Sequence, residues 1–381
     1  MALFEYFPNY VWNLSVAIAL ESGGRIGEIV DMCAPILARA ERGEDAATVD
    51  FMGEWVKMAD KLVDLAAEDE AEGHILSAGE KLKRAAIYYT TAERMQCHGA
   101  PGRAEVYRKA LDAFTRGTNR AGDNVKRVSI PYEGKELSAL WHRAGGQQAR
   151  PAVVFCNGLD STKELLWFSG LAQALAKRGI STLCVDQPGT GEALRLNGLT
   201  AIHESERWAC VWADWLVAQP DVDPKKLGMT GISLGGFYAP RAVAFEPRFA
   251  SGAVWGANHD WAEVQQKRLR REGENPVPHY WAHVHWVFGA EDMDDFLVRS
   301  DGMTLNGVMD KIRVPFLVTH GARDRQISLD YAHQSYNQLV NSPNRQLKIF
   351  TDREGGVEHV GADNMSYGRD YIADWFADTL K

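Results

Sequence analysis

The chain is short of cysteine pairs, of basic clusters and, near its start, of any hydrophobic run long enough to cross a bilayer. Its five cysteines, Cys33, Cys97, Cys156, Cys184 and Cys210, are odd in number and far apart. Without a C-x-x-C pair they indicate neither a disulfide framework nor a thiolate metal site, and they read as reduced, mostly buried thiols. Residues Met1–Tyr6 carry no basic stretch of the kind that opens a secretory signal. The longest apolar run nearby, Val16–Leu20, is far below the ~20 residues a spanning helix needs. The expected setting is therefore the cytoplasm, where the N-x-S patterns at Asn13 and Asn364 are accidents of sequence. Lys and Arg number 42 against 51 Asp and Glu, a net charge of −9. The basic residues are scattered, so nucleic acid and anionic membrane are not expected partners. Gly189-Thr190-Gly191 lacks the third glycine and the later acid of a dinucleotide fingerprint, and no phosphate loop is present. His279, His283 and His285 have no H-E-x-x-H motif or carboxylate at ligand spacing, and Pro276 and Pro278 break the helical pattern just before them. They read as a lid surface or a substrate wall. No metal and no cofactor are expected.

What is present suits a large α/β core with an appendage: 381 residues, 45% hydrophobic and 24% charged. Residues 1–122 read as an all-helical region. Gly27–Ala40, Phe51–Ala67, Ser77–Met95 and Arg103–Thr118 repeat apolar residues every three or four positions, with Gly43, Gly73, Pro101-Gly102 and Gly117 as breaks. Residues 123–381 change register. Val125–Pro131 and Leu137–His142 alternate like a hairpin around Glu133-Gly134-Lys135. Short apolar strands follow at Ala152–Cys156, Thr182–Val185, Leu227–Thr230, Ser251–Trp255, Val314–Thr319 and Gln346–Phe350, separated by helical stretches that include Lys163–Arg178 and Ala201–Gln219. That alternation predicts a mostly parallel sheet covered by helices on both faces. Residues 258–311 carry charge and aromatics but no strand signal, as a lid insertion would.

Gly231-Ile232-Ser233-Leu234-Gly235-Gly236 follows the apolar Leu227–Thr230, which makes it a G-x-S-x-G turn between a strand and a helix. Such a turn holds its serine in a strained conformation, with the hydroxyl exposed and small residues on either side. A serine nucleophile needs a base, and the base needs an orienting group. In hydrolases with this turn the acid and then the histidine follow the serine in chain order. Asp324 ends the loop after the strand Phe316–Thr319, whereas its competitor Asp330 stands at a helix start and would cap it. His359 is the one imidazole in the glycine-rich loop Glu354–Gly361 after the last strand, and His320 reads as a packing neighbour of Asp324. The expected triad is Ser233, Asp324 and His359. The oxyanion donors are expected to be the amides of Leu234 and Leu159, with Gly158 as the alternative to Leu159.

Further residues carry a resemblance. They are Asn157–Glu164 with its S-T-K-E run, Asp186–Glu192, Gly231–Gly236, Glu246-Pro247-Arg248 and Trp255-Gly256. In the N-terminal region Ser77–Glu80, Arg84–Tyr89 and Ala92-Glu93 add to it. With these the chain resembles the α/β-hydrolases of the 2,6-dihydroxypseudooxynicotine hydrolase, fungal pigment polyketide-shortening and fermentation-respiration switch protein group. The resemblance covers most of the chain. It implies an α/β-hydrolase fold with an N-terminal helical cap that is also a dimer surface. It also implies hydrolysis of a carbon–carbon bond beside a ketone, in an aryl ketone, β-diketone or polyketide. A carboxylesterase or thioesterase would use the same triad, so the substrate is expected to be a small ketone or an ester. A second acid near the start of the insertion is plausible in this group, with His259, Asp260 and Glu263 as candidates.

Overall fold

The computed structural model describes residues 4–44, 47–146 and 148–381. They fall into two units, one made of the chain up to Val125 with Asn275–His283, the other of Lys126–Glu274 with Val284–Lys381.

In the first unit the helices Ala47–Ala71, Ile75–Arg94 and Arg103–Ala121 pack in sequence order. The last two approach very closely, because a Cβ on Gly79 would lie 2.6 Å from the Ala121 nitrogen and one on Gly117 2.8 Å from the Lys83 nitrogen. Ala78, Leu82, Ala85 and Ala86 face inward on one, and Val106, Ala110, Ala113 and Phe114 on the other. The expected helix over 27–40 is broken. Helix Ile26–Cys33 ends in a 3₁₀ turn, Ala34–Ile36, before Leu37–Glu41 resumes. Pro35 stands in that turn and has no N–H to continue the ladder. A further helix, Tyr10–Glu21, buries Trp12, Leu14, Val16, Ala17 and Ala19. Burial on most of its sides leaves it without the one-sided apolar stripe that marks an amphipathic helix.

The second unit is built on eight strands: β1 Val125–Tyr132, β2 Lys135–His142, β3 Arg150–Cys156, β4 Ser181–Val185, β5 Val222–Ile232, β6 Phe249–Trp255, β7 Phe316–Gly321 and β8 Arg345–Phe350. Their order is β1-β2-β4-β3-β5-β6-β7-β8, with β2 antiparallel to β4 and every pair from β4 to β8 parallel. The chain is thus an α/β protein with the expected sheet. Glu133 and Gly134, at φ 49° and 75°, close β1 onto β2 in the two-residue turn that suits strand twist. β3 lies between β4 and β5, so successive crossovers leave it in opposite directions. The crevice beyond the carboxyl ends of β3 and β5 is the place where such sheets bind ligands.

Two helices differ from the expected spans. Lys163–Arg178 is split into Lys163–Phe168 and Leu171–Ala176 by Gly170 at φ 81°. The helix before β5 spans Glu206–Val217, and residues 201–205 are irregular. The segment between β6 and β7 holds the helices Trp261–Leu269, Tyr280–Phe288 and Met293–Ser300, plus one isolated bridge from Asp260 to Thr304. Trp261 stacks on Phe288 at 5.1 Å between centroids and meets Phe296 edge-on, so several of its aromatics form its own small core. Among the described residues no helix is long and apolar enough to cross a membrane.

Candidate active site

β5 runs straight into Ser233, whose φ of 57° is in the left-handed region that costs an L-residue about 1–3 kcal/mol. The strain is held by the surrounding backbone. Ser233 N–H donates to the Trp255 carbonyl at 3.0 Å, and Gly236 N–H returns to the Ser233 carbonyl at 2.8 Å as the helix Gly235–Phe245 begins. There is no room beside this turn. A Cβ on Gly231 would stand 2.2 Å from the Gly235 oxygen, one on Gly235 2.9 Å from the Cys156 oxygen, and one on Gly236 2.0 Å from the Gly256 oxygen.

Ser233 Oγ lies 2.8 Å from His359 Nε2, and His359 Nδ1 lies 2.7 Å from Asp324 Oδ2. The structure therefore brings together the three residues singled out from the sequence, 126 and 35 positions apart along the chain. The Asp324 carboxyl is fully buried. Its Oδ1 accepts the amide hydrogens of Gln326 at 2.8 Å and Ile327 at 3.0 Å. Burial alone would push its pKa up. The charge and hydrogen bond of His359, with His320 and the Ile327 amide, hold it below the ordinary carboxylate range. His320 is a neutral neighbour. The Ala257 N–H donates to its Nδ1 at 3.1 Å, so Nε2 carries the proton and donates to the Ile327 carbonyl at 3.0 Å. Burial pushes its pKa down against the opposing pull of Asp324. Asp330 is exposed in the first turn of the helix Leu329–Gln338. The cap expected from it is supplied instead by Ser328, whose Oγ accepts the Asp330 N–H at 3.3 Å.

Two braces were not apparent in the sequence. The Asp363 carboxylate accepts the N–H groups of Gly356, Val357 and Glu358 at 2.9, 3.2 and 2.8 Å, which fixes the bend that carries His359. Glu358 and Arg325, the immediate neighbours of His359 and Asp324, form a two-pronged ion pair with both distances 3.0 Å. Neither belongs to a spacing motif, because both depend on two distant loops meeting.

The expected oxyanion donors lie on the loop after β3 and at the start of the elbow helix. A Cβ on Gly158 would come within 3.0 Å of the Ser233 Cβ and 3.4 Å of its Oγ, so the Gly158–Leu159 peptide passes beside Ser233. Among the described residues neither the Leu159 nor the Leu234 amide donates in the turn and loop hydrogen bonds, and both side chains are buried.

The candidates for a second acid are engaged elsewhere. Buried His259 is held between Ser335 Oγ at 3.0 Å and Asn306 Oδ1 at 3.1 Å, and burial pushes its pKa down. Asp260 caps the helix Trp261–Leu269 by accepting the Glu263 N–H at 2.9 Å, and it also accepts Thr304 Oγ1–H at 2.8 Å. Glu263 accepts Tyr331 O–H at 2.7 Å and pairs with Lys267 at 3.1 Å. Among the described residues none of the three shares a hydrogen bond with Ser233, His359 or Asp324. Among the described residues no group of three or more His, Cys, Asp or Glu could hold a metal ion.

Comparison with known proteins agrees with this architecture. Residues 47–260 match the sequence model of the esterase FrsA-like family, and residues 166–381 match that of the prolyl oligopeptidase family. The chain is 26% identical over 396 residues to Hydrolase LUC6 of a Fusarium species, covering 93% of each. It is 27% identical over 334 residues to the 2,6-dihydropseudooxynicotine hydrolase of Paenarthrobacter nicotinovorans, covering 86% of this chain and 83% of that one. The crystal structure of 2,6-dihydroxy-pseudo-oxynicotine hydrolase superposes with a TM-score of 0.77 at 22% identity, over 96% and 95% of the two chains, and shows the same fold. With the FrsA-like model spanning more than half its length, the chain belongs to the esterase FrsA-like family of α/β-hydrolases, and it is a hydrolase.

Proposed function

We propose that the protein is a serine hydrolase that cleaves a carbon–carbon bond next to a ketone, with Ser233, His359 and Asp324 as its catalytic triad. The observation that carries the triad is the continuous chain of short contacts from Ser233 Oγ through His359 to Asp324. The preference for a ketone rests on the resemblance of the Asn157–Glu164 and Asp186–Glu192 motifs to hydrolases of that chemistry.

In this reading His359 Nε2 takes the Ser233 proton as Oγ adds to the ketone carbon. The oxyanion is met by the amides of Leu234 and Leu159. The carbon–carbon bond then breaks with its electron pair on the leaving carbon, which a second carbonyl or an electron-poor ring stabilises. The His359 imidazolium returns its proton to that carbon. Water, deprotonated by His359, then hydrolyses the acyl-enzyme. His359 is thus the single proton carrier, since His259, Asp260 and Glu263 hold structural bonds. The first unit acts as the cap and dimer surface of a cytoplasmic homodimer. An ester substrate is the second reading, favoured by the match to the esterase FrsA-like model.

Product analysis by mass spectrometry on parallel panels of esters and of aryl ketones and β-diketones tests this. The expected result is ketone cleavage into an acid and a neutral fragment, abolished in Ser233→Ala by on the order of a millionfold. Turnover confined to esters would replace the ketone reading with the second one. A Ser233→Ala protein within about tenfold of the wild type would end both.

A further inference from the structure

The motif Asp186-Gln187-Pro188-Gly189-Thr190-Gly191-Glu192 follows β4, and no step of the proposed chemistry uses it. Its first two side chains are fully buried and both point to the loop after β3. Gln187 grips the Asn157 backbone at two points. Its Oε1 accepts the Asn157 N–H at 3.0 Å, and its Nε2 donates to the Asn157 carbonyl at 3.0 Å. Asp186 Oδ1 accepts Asn157 Nδ2–H at 3.1 Å and the Lys163 backbone N–H at 2.7 Å. One carboxylate oxygen thereby holds both ends of the loop 157–163, which contains the Gly158–Leu159 peptide beside Ser233.

The carboxylate is itself fixed. Its Oδ2 accepts the Glu192 N–H at 2.9 Å and the Lys163 ammonium at 3.0 Å. Lys163 is fully buried and also reaches Glu192 at 2.6 Å and Glu164 at 2.7 Å. Arg127 closes the far side of Glu192. Gly191 has no alternative here, since a Cβ on it would overlap the Asp186 carboxyl at 2.0 Å. Burying a lysine is costly unless counter-charges in hydrogen-bonding geometry surround it, as the three carboxylates do here. Together these groups form a template under the loop.

We infer that Asp186 and Gln187 are positioning residues for the oxyanion hole, setting the Leu159 amide against the Ser233 adduct by clamping the loop at Asn157 and Lys163. The inference rests on the serine-hydrolase reading above. It explains why the S-T-K-E run and the motif after β4 occur in one chain: they are two halves of one buried cluster.

The test is Gln187→Met, which keeps length and volume and removes both hydrogen bonds to Asn157. Loss of one oxyanion donor costs about 10²–10³ in kcat, and a displaced donor should cost roughly 10- to 100-fold. KM for an activated ester should change little, whereas the melting temperature should fall, because the buried Asn157 N–H and carbonyl lose their partners, so the kinetic constants are taken at a temperature where the variant stays folded. Affinity for a trifluoromethyl ketone or boronic acid, which forms a tetrahedral adduct on Ser233, should fall in parallel with kcat/KM, whereas a product-like competitive inhibitor binds as before. Gln187→Glu gives a second readout that merely structural packing would not produce. Ionised, the new side chain repels the Asn157 carbonyl; protonated, it can donate and accept as the amide did. Its deficit relative to wild type should therefore shrink as pH falls. Unchanged kcat and analogue affinity in Gln187→Met, or a pH-independent deficit in Gln187→Glu, would overturn the inference. Ser233→Ala, assayed alongside, separates the outcomes: if it stays active the serine-hydrolase reading has failed, and if it is dead while both Gln187 variants match wild type only the clamp has.

Discussion

Replacing Asp324 by asparagine changes one atom and tests the triad. The amides of Gln326 and Ile327, at 2.8 and 3.0 Å, both donate to Oδ1, so the asparagine oxygen must stay on that side. The new NH₂ group is then forced to the Oδ2 position, 2.7 Å from His359 Nδ1. His320 Nε2, a donor lying 3.6 Å from Oδ2, adds no acceptor to welcome it. Two donors cannot face each other, so Nδ1 must give up its hydrogen and Nε2 must carry it. Nε2 is 2.8 Å from Ser233 Oγ, where it would now donate instead of accepting the nucleophile's proton. The same change of tautomer in serine proteases lowers kcat by ~10⁴, equivalent to about 5 kcal/mol of transition-state stabilisation. Steady-state kinetics on an activated ester should show that loss mostly in kcat, with KM and the far-ultraviolet spectrum unchanged. If Asp324→Asn retains activity within about tenfold, or if Asp330→Asn shows the large loss instead, the assignment of the acid is refuted.

Gly231→Ala should destabilise the protein by about 2–4 kcal/mol in chemical denaturation, because its methyl group would meet the Gly235 oxygen at 2.2 Å; a loss below ~1 kcal/mol would show the elbow able to yield. Asp260→Asn and Glu263→Gln should alter ketone and ester cleavage together and by little, since asparagine caps a helix as well as aspartate does. A loss of ~10²-fold or more confined to carbon–carbon cleavage would make one of them the second acid after all. Burial pushes the Glu192 carboxyl up, but Arg127 and Lys163 outweigh it and hold the pKa at about 2. A depressed carboxyl stabilises the fold above its unfolded pKa of about 4.3, and that contribution is lost as pH falls towards about 2. Arg127→Met should therefore lose less stability than wild type between pH 5 and pH 3, and equal losses in denaturant titrations would count against the assignment.

The sheet and the meeting of Ser233, His359 and Asp324 are legible in the sequence because each leaves a local trace. A short apolar run between glycines reads as a buried strand, and Ser233, Asp324 and His359 each end such a run or the loop behind it. Helix Tyr10–Glu21 left no amphipathic trace because Trp12, Leu14, Val16 and Ala19 are buried around most of its circumference. The break at Gly170 was hidden by apolar residues on both sides, which keep a helical spacing whether or not the helix is continuous. Asp363, Glu358 and Arg325 were invisible for another reason. Their value lies in which backbone amides and charges the tertiary fold sets opposite them, and no spacing along the chain encodes that. Asp260 and Glu263 show the converse: candidates for a second acid by their place in the chain, they also hold structural bonds, one capping a helix and the other accepting from a tyrosine, and spacing alone does not separate the two roles.

The membership of Asn275–His283 in the first unit has a consequence for biosynthesis. That unit is interrupted in the chain: its first 125 residues are followed by nearly 150 that belong elsewhere, and only then comes the segment containing buried Val277 and Tyr280. Arg94, which donates to the Pro276 carbonyl at 3.5 Å, must wait for that partner. At ~5–20 residues per second the delay on the ribosome is roughly 8–30 s, during which the N-terminal helices exist without their last piece. A contiguous fragment ending at residue 125 would lack the Asn275–His283 segment and with it the Pro276 carbonyl that Arg94 meets. Recombination between relatives is constrained in the same way, because a crossover placed in the intervening stretch would pair the helices of one parent with the closing segment of the other.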